Sequence, residues 1–168
     1  LRADELPDFA RNAINLASAS LGARGISATD EFFAPLVRML QDSSPTFITD
    51  KYDDHGKWMD GWESRRRRGG GHDHAIVALA VPGTIDGFDV DTSFFTGNHP
   101  PECRIEACRS DGDPDDGTEW TELLPMQHLE PDSHHFLRCA DDNVWSHLRF
   151  HIHPDGGVAR LRVFGTPY

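Results

Sequence analysis

The stretch VWSHLRFHIHPDGGVARLRVFG, residues 144–165, alternates with a period of two on either side of a Pro-Asp-Gly-Gly turn. Leu148, Phe150 and Ile152 share one face of its first half, and His147, Arg149, His151 and His153 share the other. After the turn, Leu161 and Val163 point inward while Arg160, Arg162 and Phe164 point outward. Side chains of a strand alternate across the sheet, so each run reads as a strand with one buried face. The Pro-Asp-Gly-Gly stretch between the two runs reads as a tight turn. The same period recurs upstream. Phe88, Val90, Thr92 and Phe94 oppose Asp89, Asp91, Ser93 and Phe95, and Cys103, Ile105 and Ala107 oppose Arg104, Glu106 and Cys108. The run 76–81 is almost wholly apolar, as in a strand covered on both faces, and Pro82-Gly83-Thr84 reads as the turn that ends it. Short strands separated by turns, with no βαβ unit, predict an all-β sandwich. Its core is expected to hold Phe88, Val90, Ile105, Leu148, Phe150, Leu161 and Val163.

The first half of the chain is less regular. Residues 6–17 read as a packed arm, and Gly22, Gly25 and Ser27 surround a short extended piece. Phe32, Phe33, Leu36, Val37 and Leu40 suit a short helix with Pro35 in its first turn. Asp30 reads as its cap in preference to a Ca²⁺ ligand. Phe47 and Ile48 read as the end of a strand. It leads into KYDDHGKWMDGWESRRRR, residues 51–68, where neither period fits. A stretch so rich in Trp and charge, with Gly56 and Gly61 inside it, predicts a long ordered loop, and such loops carry function. Gly69 to Gly71 follow as a hinge or a close backbone approach.

With 168 residues, one domain is the default. A net charge of −12 argues against a nucleic-acid partner. The four consecutive arginines, 65–68, are therefore expected to meet carboxylates of the protein or of a ligand. Cys103 and Cys108 face opposite sides of one strand and do not suit a disulfide. With the third cysteine they point to a reducing, cytoplasmic setting. No apolar run spans a membrane and no signal peptide is visible.

Two segments narrow the sandwich. SDGDPDDGTEW, residues 110–120, resembles an expanded S-x-D-G-x-x-W turn of discoidin-like domains, and the stretch quoted first resembles their closing hairpin. Those domains are galactose-binding-like jelly rolls. Taken together, KYDDHGKWMDGWESRRRR, GHDHAIVAL (71–79), GFDVDTSFFTGNHPPECRIEAC (87–108) and FHIHPDGGVARLRVFG (150–165) resemble the allantoicase family, in that family's order, from Leu6 to Gly165. The resemblance implies a jelly-roll β-sandwich that hydrolyses allantoate to ureidoglycolate and urea in purine degradation. It also implies a tandem pair of repeats, of which residues 1–168 would be the first. A second repeat and a homo-oligomer are the expected partners, because a lone repeat leaves apolar surface that its neighbour covers. His74 departs from the family, which commonly has Trp there.

Allantoate carries a carboxylate and two ureido groups on one carbon. Arg65 and Arg66 are candidates for the carboxylate through bidentate pairing; pairing with Asp60, Glu63 or Asp89 is the alternative. His55, His72, Asp91 and Glu106 are candidates for proton transfer. Asp89 and Asp91 share a strand face and suit either a coupled substrate-binding pair or a charge ladder with Arg104 or Arg149. Thr96 and Asn98 follow that strand directly, and Asn98 can both donate to and accept from a ureido group. Trp58 and Trp62 would tether the loop beside the substrate or cap a core edge. His147, His151 and His153, and separately His72, Asp73 and His74, are weak metal clusters, and Arg149 opposes a cation at the first. The cofactor therefore stays open, with a divalent metal ion implied only by the family. Two rival readings are a non-catalytic ligand-binding module of the same fold and a repeat that only supports a catalytic neighbour.

Overall fold

A computed structural model describes all of residues 1–168. The strands are β1 (Ile14–Asn15), β2 (Arg24–Ala28), β3 (Tyr52–Asp53), β4 (Gly56–Lys57), β5 (Trp62–Glu63), β6 (Asp73–Asp91), β7 (Glu102–Cys108), β8 (Thr121–His128), β9 (His134–Arg138), β10 (Val144–His153), β11 (Gly157–Val158) and β12 (Arg160–Pro167). Every pairing is antiparallel. No helix is long and apolar enough to cross a membrane.

The 19-residue β6 belongs to both layers of the sandwich. Its first half lies between β2 and β10, with Ala75 opposite both Ala28 and Phe150. Its second half lies between β12 and β9, with Val90 opposite both Leu161 and His135. β10 passes its free edge to β7, and β7 to β8. Phe88, Val90, Leu161 and Val163 of one layer meet Ile105, Leu148 and Phe150 of the other in a single solvent-free cluster, as the alternation predicts. Each such side chain contributes about 1.5–3 kcal/mol on burial. All three cysteines are buried free thiols.

Five local expectations are corrected. The runs on either side of the Pro-Asp-Gly-Gly turn form no hairpin with each other, because β6 lies between β10 and β12 and pairs with both. Pro82-Gly83-Thr84 is no turn, because β6 runs straight through it. The strand changes a partner there: four residues of β6, 79–82, stand opposite Ser146 of β10, and on the side that β2 leaves at Ala78, β12 pairs from Gly83 onward while β10 still pairs Gly83 and Thr84. A Cβ on Gly83 would lie 2.6 Å from the Thr166 carbonyl oxygen, so Gly serves a close strand approach. Phe47 and Ile48 form no strand, since the Ile48 and Thr49 carbonyls accept from the Lys57 ammonium rather than from a neighbouring chain. Phe94 does not continue the inward face. β6 ends at Asp91, the chain turns with Phe95 N–H donating to Thr92 O at 2.9 Å, and Phe95 enters the interior while Phe94 is left exposed. Arg160 does not face solvent. It is fully buried, and its two terminal nitrogens pair with the two oxygens of Asp60 at 3.0 Å each.

The short helix forms as a 3-10 turn, Leu36–Leu40, which buries Leu36, Met39 and Leu40 against the sandwich. Arg160 lies beneath it. Besides Asp60, its guanidinium donates to the carbonyls of Ser43, Arg38, Asp60 and Ala159. Removing one partner of such a pair leaves an uncompensated buried charge. Asp60→Ala is expected to cost about 3–5 kcal/mol of unfolding free energy, read as a fall in the urea midpoint; a change below about 1 kcal/mol, the surface-pair range, would show that the pair holds nothing.

Candidate active site

Trp62 fixes the site by pointing away from it. Its ring is fully buried, packs edge-on to Phe150 with centroids 6.2 Å apart, and donates Nε1–H to the Asp30 carbonyl at 2.9 Å. Alternation then turns Glu63 to the opposite side. β5 is held between Ala34 and β11, with Glu63 opposite Gly157. A Cβ on Gly157 would lie 1.9 Å from the Phe95 ring, so only Gly lets these segments meet. The Gly157 N–H donates to the Asn98 carbonyl at 2.8 Å, and Asn98 Nδ2 donates to Glu63 Oε2 at 2.8 Å.

Around this pair lies a cavity of about 560 Å³, lined by Glu63, Ser64, Arg66, Arg67, Gly97, Asn98, His99 and Asp155 among others. Only one of its lining residues is hydrophobic, so it suits a small, highly polar ligand. Burial pushes the Glu63 carboxyl above the usual range; the Asn98 hydrogen bond opposes this and the nearby Asp53 charge adds to it. Arg67 is committed elsewhere: Nη1 bonds Asp73 at 2.8 Å, Nε donates to Gly70 O, and its backbone N–H donates to Asp155. Arg66 is exposed, has no hydrogen-bond or ion-pair partner in the chain, and is one of the residues lining the cavity.

The sequence-selected residues separate into distinct places. Arg66 and Asn98 line the cavity, and Thr96 sits beside it, its carbonyl bonded to His99 Nδ1 at 3.1 Å. Arg65 turns outward, pairs with Asp30 at 2.9 Å and lies over the Phe32 ring. None of the alternatives Asp60, Glu63 or Asp89 takes it. His55 is exposed and stacks on Phe32 at 4.1 Å. Trp58 is flanked by Lys51 and Arg38 against its ring.

His72 and Glu106 belong to a second cluster on the outer face of the β6–β10–β7 layer. His72 Nε2 meets His151 Nδ1 at 2.8 Å, and His151 Nε2 reaches Glu106 in a short hydrogen bond. Burial raises the Glu106 carboxyl, but hydrogen bonds from Arg149 and His151 outweigh it and hold the group below its usual range. Burial depresses His151 and His153 to about 4 each, so both are neutral at pH 7.

Asp89 and Asp91 form a third place. Both accept from Arg162 Nη1 at 2.9 Å, and Asp89 also holds His134 at 2.8 Å. They face neither Arg104 nor Arg149. Asp89, Asp91 and His134 are near enough together to suggest a metal site. A divalent cation does not fit, because the Arg162 guanidinium already bridges the two carboxylates. At the histidine cluster, Arg104 likewise lies against His151 and His153.

Glu63, Ser64, His99 and Asp155 are cavity residues that the sequence reading passed over as site groups. The signal was Trp62-Glu63-Ser64: a buried Trp within a charged loop implies that its neighbour faces the other way.

A family model described as "Allantoicase repeat" matches residues 14–168. A protein described as "Probable allantoicase" in Rhizobium meliloti (strain 1021) is 64% identical over 162 residues, covering 96% of this chain and 48% of that protein. The solved allantoicase of Saccharomyces cerevisiae is 31% identical with a TM-score of 0.79, over 92% of this chain and 48% of that one. The chain thus spans about half the length of these relatives. A family 32 carbohydrate-binding module from Streptococcus pneumoniae EndoD superposes with a TM-score of 0.62 at 13% identity, over 91% of this chain and 100% of that one. It shows the shared galactose-binding-like fold alone.

The buried imidazoles make stability depend on pH. Between about 6.5 and about 4, the unfolded chain takes up protons that folded His151 and His153 refuse, so stability falls as pH falls through that window. His134, raised by its hydrogen bond to Asp89, acts in the opposite sense, its contribution fading as pH rises through its folded value. His72 and His74 are depressed by burial and side with the first pair. The urea midpoint is expected to be lower at pH 5 than at pH 7, and the gap to narrow in His153→Asn. Equal midpoints at the two pH values would contradict the assignment.

Proposed function

This chain belongs to the allantoicase family, and from that premise we propose that it supplies an active-site cavity for hydrolysis of allantoate to ureidoglycolate and urea. The observation that carries the reading is Arg66, the unpaired guanidinium on a polar cavity shared with Asn98 and Glu63. An anion approaching an acidic protein needs a local cation, and a planar fork matches a carboxylate in a bidentate grip. Asn98 lines the same cavity, and its amide can offer a ureido group both a donor and an acceptor. The clusters around Glu106 and Asp91 are poorer candidates for proton transfer, because arginines already bind both carboxylates. His55 is stacked on Phe32 outside the cavity lining.

In this reading residues 1–168 are one repeat of a two-repeat enzyme, which suits relatives about twice as long. A homo-oligomer is supported by the exposed Phe47, Ile48, Tyr52 and Phe94, and a cytoplasmic setting by three unbridged thiols. The carbohydrate-module alternative is disfavoured by the tryptophans. Trp62 is buried and Trp58 has cations against its ring, so neither offers a bare platform for a sugar.

The two adjacent arginines separate binding from structure. In the full-length enzyme, Arg66→Lys keeps the charge and loses the fork. It is expected to lower kcat/KM by about 1.5–3 kcal/mol, the worth of a charged hydrogen bond, with the melting temperature unmoved. Arg65→Lys should lower the melting temperature and leave kcat/KM alone. Unchanged efficiency in Arg66→Lys would remove that residue from the site.

A further inference from the structure

We propose that Glu63 is the acid of the reaction, giving its proton to the departing urea nitrogen and recovering one from the water that follows. The inference rests on the allantoate reading above and assigns its proton transfer. The central carbon of allantoate bears two nitrogens, so one can expel the other. The C–N bond to the leaving ureido group breaks, its electron pair goes to that nitrogen, and the Glu63 proton goes with it. The lone pair of the remaining ureido nitrogen forms a C=N bond to the carbon. Water then adds to that carbon, the C=N pair returns to nitrogen, and the water's surplus proton restores Glu63. Allantoate and water enter, ureidoglycolate and urea leave, and no metal or further reactant is consumed.

The geometry singles out this carboxyl. Glu63 is 8% exposed, borders the polar cavity, and has no cationic hydrogen-bond partner. Its Oε2 is occupied as an acceptor by Asn98 Nδ2. The proton therefore belongs on Oε1, which no group of the chain engages. Asn98 acts as a positioning residue, fixing which oxygen carries the proton. A carboxyl acting as an acid near neutral pH must hold its proton, and burial with the neighbouring Asp53 charge favours this. The charged groups lining the cavity with it are Arg66, Arg67 and Asp155, with His99 the other titratable one. Arg67 is neutralised by Asp73. Arg66 would be neutralised by the substrate carboxylate, so substrate binding itself strengthens the hold of Glu63 on its proton.

The test is a pH–rate profile of the full-length enzyme with allantoate, following urea release. Wild-type kcat is expected to fall on the alkaline side as Glu63 ionises. Glu63→Gln should lower kcat by roughly 100-fold or more, the range for a lost general acid, with KM nearly unchanged and the alkaline limb abolished. Asn98→Ala removes a bond that favours the carboxylate, so it should move the alkaline limb to higher pH. A merely structural Asn98 would not do so. If Glu63→Gln does not fold, Glu63→Asp withdraws the carboxyl by one methylene and should lower kcat with the limb retained. An active wild type with unchanged kcat and limb in these variants overturns the role of Glu63 and leaves the allantoate reading standing. A full-length wild type that releases no urea from allantoate overturns that reading, and this assignment with it.

Discussion

The contact between Arg160 and Asp60 is the constraint on which the site depends. Arg160 opens β12 and lies where the irregular 38–60 segment crosses the sandwich. Its guanidinium gathers the carbonyls of Arg38, Ser43, Asp60 and Ala159 onto one buried charge. Asp60 in turn accepts from the backbone N–H of Thr46. The only ladder in this segment is the two-residue β3–β4 pairing, which does not join it to the sandwich, so this network does the anchoring instead. Two residues past Asp60 comes Trp62, and after it Glu63. The position of the cavity carboxyl is thus inherited from a charge buried on the last strand. Ion pairs of this kind are better justified by the single arrangement they enforce than by net stability.

The length of β6 supplies the other half of the placement. A strand that changes partners midway joins both layers, and its far end delivers Thr92 to His99 to the same end of the sandwich as β11. Gly157 then allows Phe95 and Asn98 to close on β5. The fold is shared with a carbohydrate-binding module at 13% identity, which has no bearing on what this end binds. The cavity at this end is lined by three short segments around residues 63–67, 97–99 and 154–156, all outside the long strands.

This division explains what was legible in the sequence. Strand faces repeat every two residues, and burial reads the repeat directly, so the seven core side chains could be named from their spacing. The turn residues Pro82-Gly83-Thr84 misled because Gly and Pro mark any departure from a regular ladder, and here the departure is a change of partner rather than a reversal. Arg160 misled because alternation tells which face a side chain takes but not what lies on that face. The outer face at Arg160 is covered by the 38–60 segment, whose path no period encodes. The resemblance to the allantoicase family carried the family assignment, whereas the cavity residue Glu63 was hidden in a loop read as aperiodic.

Residue type alone could not have chosen among the acidic candidates, because their environments differ in one decisive respect. Glu106 has Arg149 at 2.8 Å and Asp91 has Arg162 at 2.9 Å. Burial raises both groups, but hydrogen bonds from Arg149 and His151 at Glu106, and from Ser93 and then Arg162 at Asp91, outweigh it and hold both below the usual range. Glu63 is buried to a similar degree but faces an amide. An amide N–H repays only part of the desolvation cost of a charge, so the Glu63 carboxyl is pushed above its ordinary range. The long strands carry carboxylates paired with arginine, and the two-residue β5 carries the cavity carboxyl that has none. Ion pairing favours the carboxylate forms of Glu106 and Asp91, and the chain keeps its arginines 65 and 67 off Glu63 by giving them Asp30 and Asp73 instead.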